Sequence, residues 1–176
     1  FELSFNINHN LKYNDAKEEL NHLFKKAIKF CIRSDKDIVV ATSGGIDSAQ
    51  MIFKLREQKL TEKIKYYLHW TCGDLHDEQE YARTSVLESG QKNLDKIFLL
   101  SLFSKGDFYK YLYKCMLCIE EPFGGLPILS CSKSFQMMKE RKLRVLIDGN
   151  GMDEILGGYQ HHINAYYGNS LNYNIQ

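Results

Sequence analysis

Ile38, Val39, Val40 and Ala41 form an unbroken apolar run, and the next seven residues, Thr42-Ser43-Gly44-Gly45-Ile46-Asp47-Ser48, lead straight into a helical pattern. A short β-branched run without polar alternation is what a strand needs when both faces of its sheet are covered. Strand, two-glycine turn and helix start in direct succession commit the chain to a layered α/β fold. They also build a cradle for a polyanion. Gly44 and Gly45 let the backbone turn sharply and approach a ligand with no Cβ in the way. The helix start adds unpaired N–H groups and the positive end of its dipole. Ser43 and Ser48 supply hydroxyl donors. Asp47, a carboxylate beside an anion site, makes electrostatic sense only with a cation such as Mg²⁺ in between.

Strand and helix patterns alternate along the rest of the chain. Residues 1–14 read as a short strand (Phe1, Leu3, Phe5 and Ile7 alternate) and an Asn-rich turn. Asp15 is the expected cap of a helix over 16–33, with Leu20, Leu23, Phe24, Ala27, Ile28 and Cys31 on one face. Helices are expected over 47–59, 77–89 and 104–119, and, after a loop from Glu120 to Pro127, onward to about Lys142, with a last one starting near Asp153. Further strands are expected at Ile64–Trp70, Lys96–Leu100 and Val145–Ile147. The alternation predicts a parallel sheet with helices on both faces, right-handed crossovers, and ligands beyond the carboxyl ends of the strands. Both glycine-rich loops, 42–48 and 149–151, fall at such ends.

Composition narrows the function classes. Twenty-three Lys and Arg against 22 Asp and Glu leave no global charge to favour nucleic acid or an anionic membrane. No apolar stretch reaches the ~20 residues a bilayer span requires, and no secretory signal pattern is present. Five cysteines without framework spacing fit reduced thiols in a cytoplasmic protein. Phe1 is not an initiator and the tail 169–176 completes no element, so the chain reads as a segment of a longer protein.

A second constellation repeats the first in another place. The strand ending at Ile147 runs into Asp148-Gly149-Asn150-Gly151-Met152-Asp153-Glu154-Ile155-Leu156-Gly157-Gly158-Tyr159. Asp153 and Glu154 at a helix start complement its dipole. A second acid at a second strand end can also share a metal with Asp47, because Mg²⁺ usually takes one or two carboxylates and fills its shell with phosphate and water.

The first loop resembles the S-G-G-x-D-S signature of the PP-loop ATP pyrophosphatases. The second resembles the G-[ED]-G-x-D-E-L-F-G-G-Y motif of the synthetase domain of the asparagine synthetase family. Between them, Glu121-Pro122-Phe123-Gly124-Gly125-Leu126-Pro127-Ile128 is similar to that family's E-P-F-x-x-x-x-x-P loop, and Asp77-Glu78-x-x-Tyr81-Ala82 to its D-E-x-x-Y-A segment. The resemblance covers nearly the whole chain in order. It implies an adenine nucleotide alpha-hydrolase-like (PP-loop) fold, with 1–36 a linking strand and helix and 37–176 a synthetase domain truncated at its C-terminus. It also implies the reaction: a carboxylate attacks the α-phosphorus of ATP, giving an acyl-adenylate and pyrophosphate, and ammonia from a glutaminase domain or subunit displaces AMP. Ser43, Gly44, Gly45, Asp47 and Ser48 would then hold pyrophosphate and Mg²⁺, with Asp153 the second metal carboxylate. Thr42, Leu68, Asp148 and Gly149 would meet the adenosine part, largely through backbone.

The pattern departs from the family at several points. Asn150 stands at a catalytic position where asparagine synthetases carry an acid, which removes a base and a negative charge and leaves asparagine open as the product. The loop Gly124-Gly125-Leu126 is shorter than the family's, which alters the acceptor pocket. An N-terminal nucleophilic Cys and the downstream Lys that assists amide formation are both missing. Cys115-x-x-Cys118 with Cys131 admits a tRNA-thiolating PP-loop enzyme, although i, i+3 spacing in an apolar, Tyr-rich stretch suits core packing. His69 and Trp70 are expected to line the pocket wall. His161-His162 and Tyr159 face either substrate or neighbours, and Lys25-Lys26 is a solvated face. A non-catalytic nucleotide-binding module is the third reading.

Overall fold

The computed structural model describes residues 10–71, 73, 77–125 and 127–173. In order they form α1 (Tyr13–Cys31), β1 (Ile38–Ala41), α2 (Ile46–Glu57), β2 (Ile64–Thr71), α3 (Gln79–Glu88), α4 (Leu94–Ile97), β3 (Phe98–Leu102), α5 (Phe108–Ile119), α6 (Pro127–Glu140), β4 (Val145–Ile147), α7 (Met152–Leu156) and α8 (Gln160–Tyr173). The expected strand at residues 1–7 lies outside the described residues.

The four strands make one parallel sheet in the order β3-β2-β1-β4. All four residues of β1 are buried, as an apolar run without alternation requires. Ile38 and Val40 pack with Tyr67, Met51, Ile52, Leu55, Ala82 and Val86, so α1, α2 and α3 cover one face. Val39 and Leu68 point to the other face, against Met138 and Leu143 of α6 and its exit turn. A third cluster, Phe103, Tyr111, Cys115 and Leu129, joins α5 to α6. Helices thus lie on both faces of a parallel sheet, as the alternation predicts. The strand order runs outward from β1 through β2 to β3 and then jumps back to place β4 on the free side of β1. That reversal opens a crevice beyond the carboxyl ends of β1 and β4.

Several boundaries differ from the sequence reading. The first helix starts at Tyr13 with Lys12 as its N-cap, and Asp15 sits in the first turn rather than capping. Of its apolar face only Ile28 is buried, while Leu20 and Leu23 stay 43% and 52% exposed. Only the C-terminal half of α1 reaches the core, through Phe24, Ile28 and the following Ile32. The third strand begins at Phe98 instead of Lys96, because Asn93 at φ 60° starts a helical turn over Leu94–Ile97. The last helix is two: Gly157, at φ 76°, ends α7 and α8 restarts at Gln160.

One polar tie fastens α6 to the end of β3. Lys133 Nζ donates to Asp107 Oδ2 at 2.6 Å and to the Leu102 carbonyl, and Asp107 also accepts from the Ser104 amide and hydroxyl. Lys133 and these donors hold the Asp107 carboxyl down at about 2, against an ordinary 3.8. A depressed carboxylate pKa adds stability that is present above the unfolded value and lost as pH falls from there through the folded one. Asp107→Asn is therefore expected to cost about 1–2 kcal/mol at pH 7 and to flatten the loss of stability between roughly pH 4 and pH 2. Urea unfolding across that range checks both; a variant whose acid limb matches the wild type would exclude the tie.

Candidate functional site

The loop 42–48 closes the carboxyl end of β1, and its two serines brace it. Ser48 Oγ donates to the Gly45 carbonyl at 3.0 Å and accepts from the Ser43 amide at 3.2 Å. The two hydroxyls lie 3.2 Å apart, and Ser43 Oγ accepts from the Gly45 amide at 3.1 Å. Sequence reasoning took these hydroxyls only as ligand donors; they also fix the loop's shape. Gly45 is the N-cap of α2 and no side chain caps that helix, so its first-turn N–H groups remain available for an anion.

Gly44 adopts φ 90°, and a Cβ there would lie 2.8 Å from the Glu78 carbonyl and 2.9 Å from Tyr81 Cβ. The start of α3 is thus seated directly on the turn. Motif two meets motif one as closely. A Cβ on Gly149 would come within 3.2 Å of the Ser48 amide nitrogen and the Asp47 carbonyl carbon. The two glycine loops, 101 residues apart between Ser48 and Gly149, therefore touch across the crevice between β1 and β4.

Three carboxylates converge at this junction. Asp47 is pushed above the usual carboxylate range by burial first, then by the negative charges of Asp153 and Glu154. Gly151, at φ 97°, turns the chain into α7 so that Asp153 and Glu154 occupy its first turn. Glu154, unlike Asp47, is held below its ordinary value by backbone N–H donation and by the Tyr159 hydroxyl, which donates to Oε1 at 2.8 Å. Tyr159 is raised in turn, by that hydrogen bond most and by the field of the acids. Its ring stacks on His161 at 5.3 Å, with His162 beside it. Asn150 is exposed and tied to Asp148: its side-chain N–H₂ donates to Oδ2 at 3.1 Å and its amide N–H to Oδ1 at 3.3 Å. An acid at position 150 could not make the first of these bonds.

At the inner end of the loop Thr42 and Leu68 are both buried. The Thr42 amide donates to the Leu68 carbonyl at 2.9 Å, so Leu68 serves the β1–β2 ladder and the core. Thr42 Oγ1 is buried with no hydrogen-bond partner among the described residues. His69 is buried and hydrogen-bonded instead of presenting an open ring to the crevice, while Trp70 packs on the opposite face against the α6 cluster. Cys115 is buried and donates to the Ile128 carbonyl, whereas Cys118 is exposed. Among the described residues no three His, Cys, Asp or Glu side chains form a metal cluster.

The acidic junction suits a divalent cation, which Asp47 and Asp153 would hold. Burial first, and then the negative charges of Asp153 and Glu154, raise the Asp47 carboxyl, and a nearby cation would offset both. Two acids cannot fill an octahedral shell, which leaves most positions to phosphate oxygens and water.

Comparison with known proteins agrees with this layout. The profile described as asparagine synthase matches residues 19–173. The chain belongs to the asparagine synthase family. Two proteins of Methanocaldococcus jannaschii bearing the name "Putative asparagine synthetase (glutamine-hydrolyzing)" are similar to it. The one numbered 2 is 29% identical over 152 residues, covering 85% of this chain and 28% of that protein. The one numbered 1 is 28% identical over 169 residues, covering 93% and 29%. Asparagine synthetase (glutamine-hydrolysing) 2 of Bacillus subtilis is 29% identical over 167 residues, covering 85% and 20%. The chain thus spans less than a third of the length of each of these relatives. In asparagine synthase terms, the α/β sheet with its β1–β4 crevice is the family's PP-loop fold. No helix among the described residues is long and apolar enough to cross a membrane.

Proposed function

We propose that this chain is the synthetase part of an ATP-dependent amide ligase that activates a carboxylate as its acyl-adenylate. The observation that carries the reading is the junction of the two loops at the strand-order reversal, with Asp47 and Asp153 in each other's field. A triphosphate tail laid on the Gly44–Gly45 turn meets the first-turn N–H groups of α2 and the Ser43 hydroxyl. Asp47 and Asp153 would hold Mg²⁺, which supplies charge neutralisation on the leaving pyrophosphate.

A carboxylate oxygen of the acceptor attacks the α-phosphorus, the bond from that phosphorus to the bridging oxygen breaks, and pyrophosphate departs. The nitrogen of ammonia then attacks the acyl carbon, AMP leaves with the original carboxylate oxygen, and the ammonium proton passes to solvent. Fixed N–H donors suit such phosphoryl-centre chemistry, which asks for positioning and charge stabilisation more than covalent help. Asn150 contributes no base, and its bond to Asp148 makes it a shaping element of the turn. Ammonia would come from a glutaminase domain or subunit, and the small-molecule acceptor is a carboxylate. A cytoplasmic location and independence from nucleic acid and membrane belong to the same reading.

The test is ATP–pyrophosphate exchange by the full protein across a panel of carboxylates. Exchange is expected with one or a few acceptors only, with AMP as the nucleotide product and loss of activity on chelation of Mg²⁺. Release of ADP would overturn the mechanism. MgATP binding without exchange for any acceptor would leave the non-catalytic nucleotide module standing in its place.

A further inference from the structure

The phosphate-binding loop is held from behind by a buried imidazole. His69 lies on β2 with its side chain 4% exposed, its ring stacked on Phe98 with centroids 6.3 Å apart. Nδ1 is 2.7 Å from the Thr42 carbonyl and Nε2 is 3.3 Å from Asp77 Oδ1. A carbonyl oxygen only accepts, so Nδ1 carries the hydrogen and donates it. Nε2 and Asp77 Oδ1 are within hydrogen-bond reach at the other end of the ring.

The two ends of this link are functionally placed. Thr42 is the first loop residue, its amide already tied to Leu68. Asp77 lies two residues before the start of α3 and accepts from the Gln79 amide at 3.0 Å. The start of that helix is what presses on Gly44 through the Glu78 carbonyl and Tyr81. The Thr42 carbonyl and the segment that seats Gly44 are therefore joined through one ring.

We infer that His69 and Asp77 are a positioning pair that sets the triphosphate-binding loop against the start of α3. The pair acts through the Thr42 carbonyl and the Gly44 contact, and it touches no reacting atom. The inference rests on the ATP-dependent reading of the same site, and it adds residues outside both glycine motifs. Rotating the Thr42 peptide would turn the braced serines and the N–H groups after them, and a misplacement of about 1 Å near a reaction centre can cost 100-fold.

The test compares His69→Leu, Asp77→Ala and Asp77→Asn in the full protein, by calorimetric binding of MgATP and by steady-state pyrophosphate release. His69→Leu and Asp77→Ala are expected to weaken MgATP binding about tenfold or more, the scale of losing a hydrogen bond to a charged group. KM for ATP should rise by more than kcat falls. Asp77→Asn should fall between the wild type and Asp77→Ala, because Oδ1 makes both contacts and a carboxamide there can serve the Gln79 amide or Nε2 but not both. Failure of the wild type to bind MgATP would remove the functional reading and this inference with it. Wild-type binding alongside an Asp77→Ala variant of equal affinity would overturn the positioning pair alone. Asp77→Asn falling as far as Asp77→Ala would do the same. Should His69→Leu not fold, the more exposed Asp77 decides the matter by itself.

Discussion

Asp47→Asn is expected to lower pyrophosphate release by roughly 10²–10³-fold or more, the scale of removing one preorganised electrostatic stabiliser. Asp153→Asn should match it. The two acids come from opposite motifs that meet at one junction, so each would supply half of the protein's proposed hold on the cation. Stability should move the other way. Folding raises the Asp47 pKa, so its ionised form costs the native state stability at every pH above the unfolded value, and that cost is fully present above the folded one. An amide at 47 carries no such cost, so the thermal midpoint at pH 7 without Mg²⁺ should hold or rise, and the difference from wild type should vanish in acid. Activity and calorimetry on the same samples separate this from misfolding. Full activity in either variant would reject the metal assignment.

Much of this layout can be read in the residues. β1 is apolar at every position because both of its faces are covered, a pattern that suits a central strand of a parallel sheet. Glycines at 44 and 151 occupy positive φ, which few other residues tolerate, so the turns announce themselves. What the chain conceals is contact between distant segments. Nothing in the run around His69 says that its ring will bond the Thr42 carbonyl 27 residues earlier, because hydrogen bonds of that kind carry no periodicity. The Glu154–Tyr159 bond is likewise set by a break between α7 and α8 that one continuous helical pattern disguises. Local rules also misplace the start of β3, where Leu94–Ile97 coils once before the strand although its residues suit either state. The apolar face of α1 marks a helix correctly, yet periodicity cannot tell which of its turns reach the core.

Gly44→Ala carries the largest expected loss of stability, and Gly90→Ala supplies its measure. Both glycines are left-handed, with φ 90° and 88°, so each substitution pays about 1–2 kcal/mol of backbone strain. Their surroundings differ completely. A Cβ at position 90 meets nothing within 4 Å, whereas at position 44 it meets the Glu78 carbonyl at 2.8 Å, Tyr81 Cβ at 2.9 Å and the Ala82 amide nitrogen at 3.1 Å. Two of those three are backbone atoms and the third is fixed to it, so no rotamer change relieves the clash; the first turn of α3 must move. Overpacking of this kind adds about 1–3 kcal/mol. The expected totals are therefore about 2–5 kcal/mol for Gly44→Ala and about 1–2 for Gly90→Ala, read from urea midpoints at equal slope. MgATP binding should fall with the first substitution and survive the second, since only the first displaces the turn proposed to receive the phosphates. Equal midpoints for the two variants would mean that α3 does not rest on the loop, and the close seating that gives the crevice its shape would have to be abandoned.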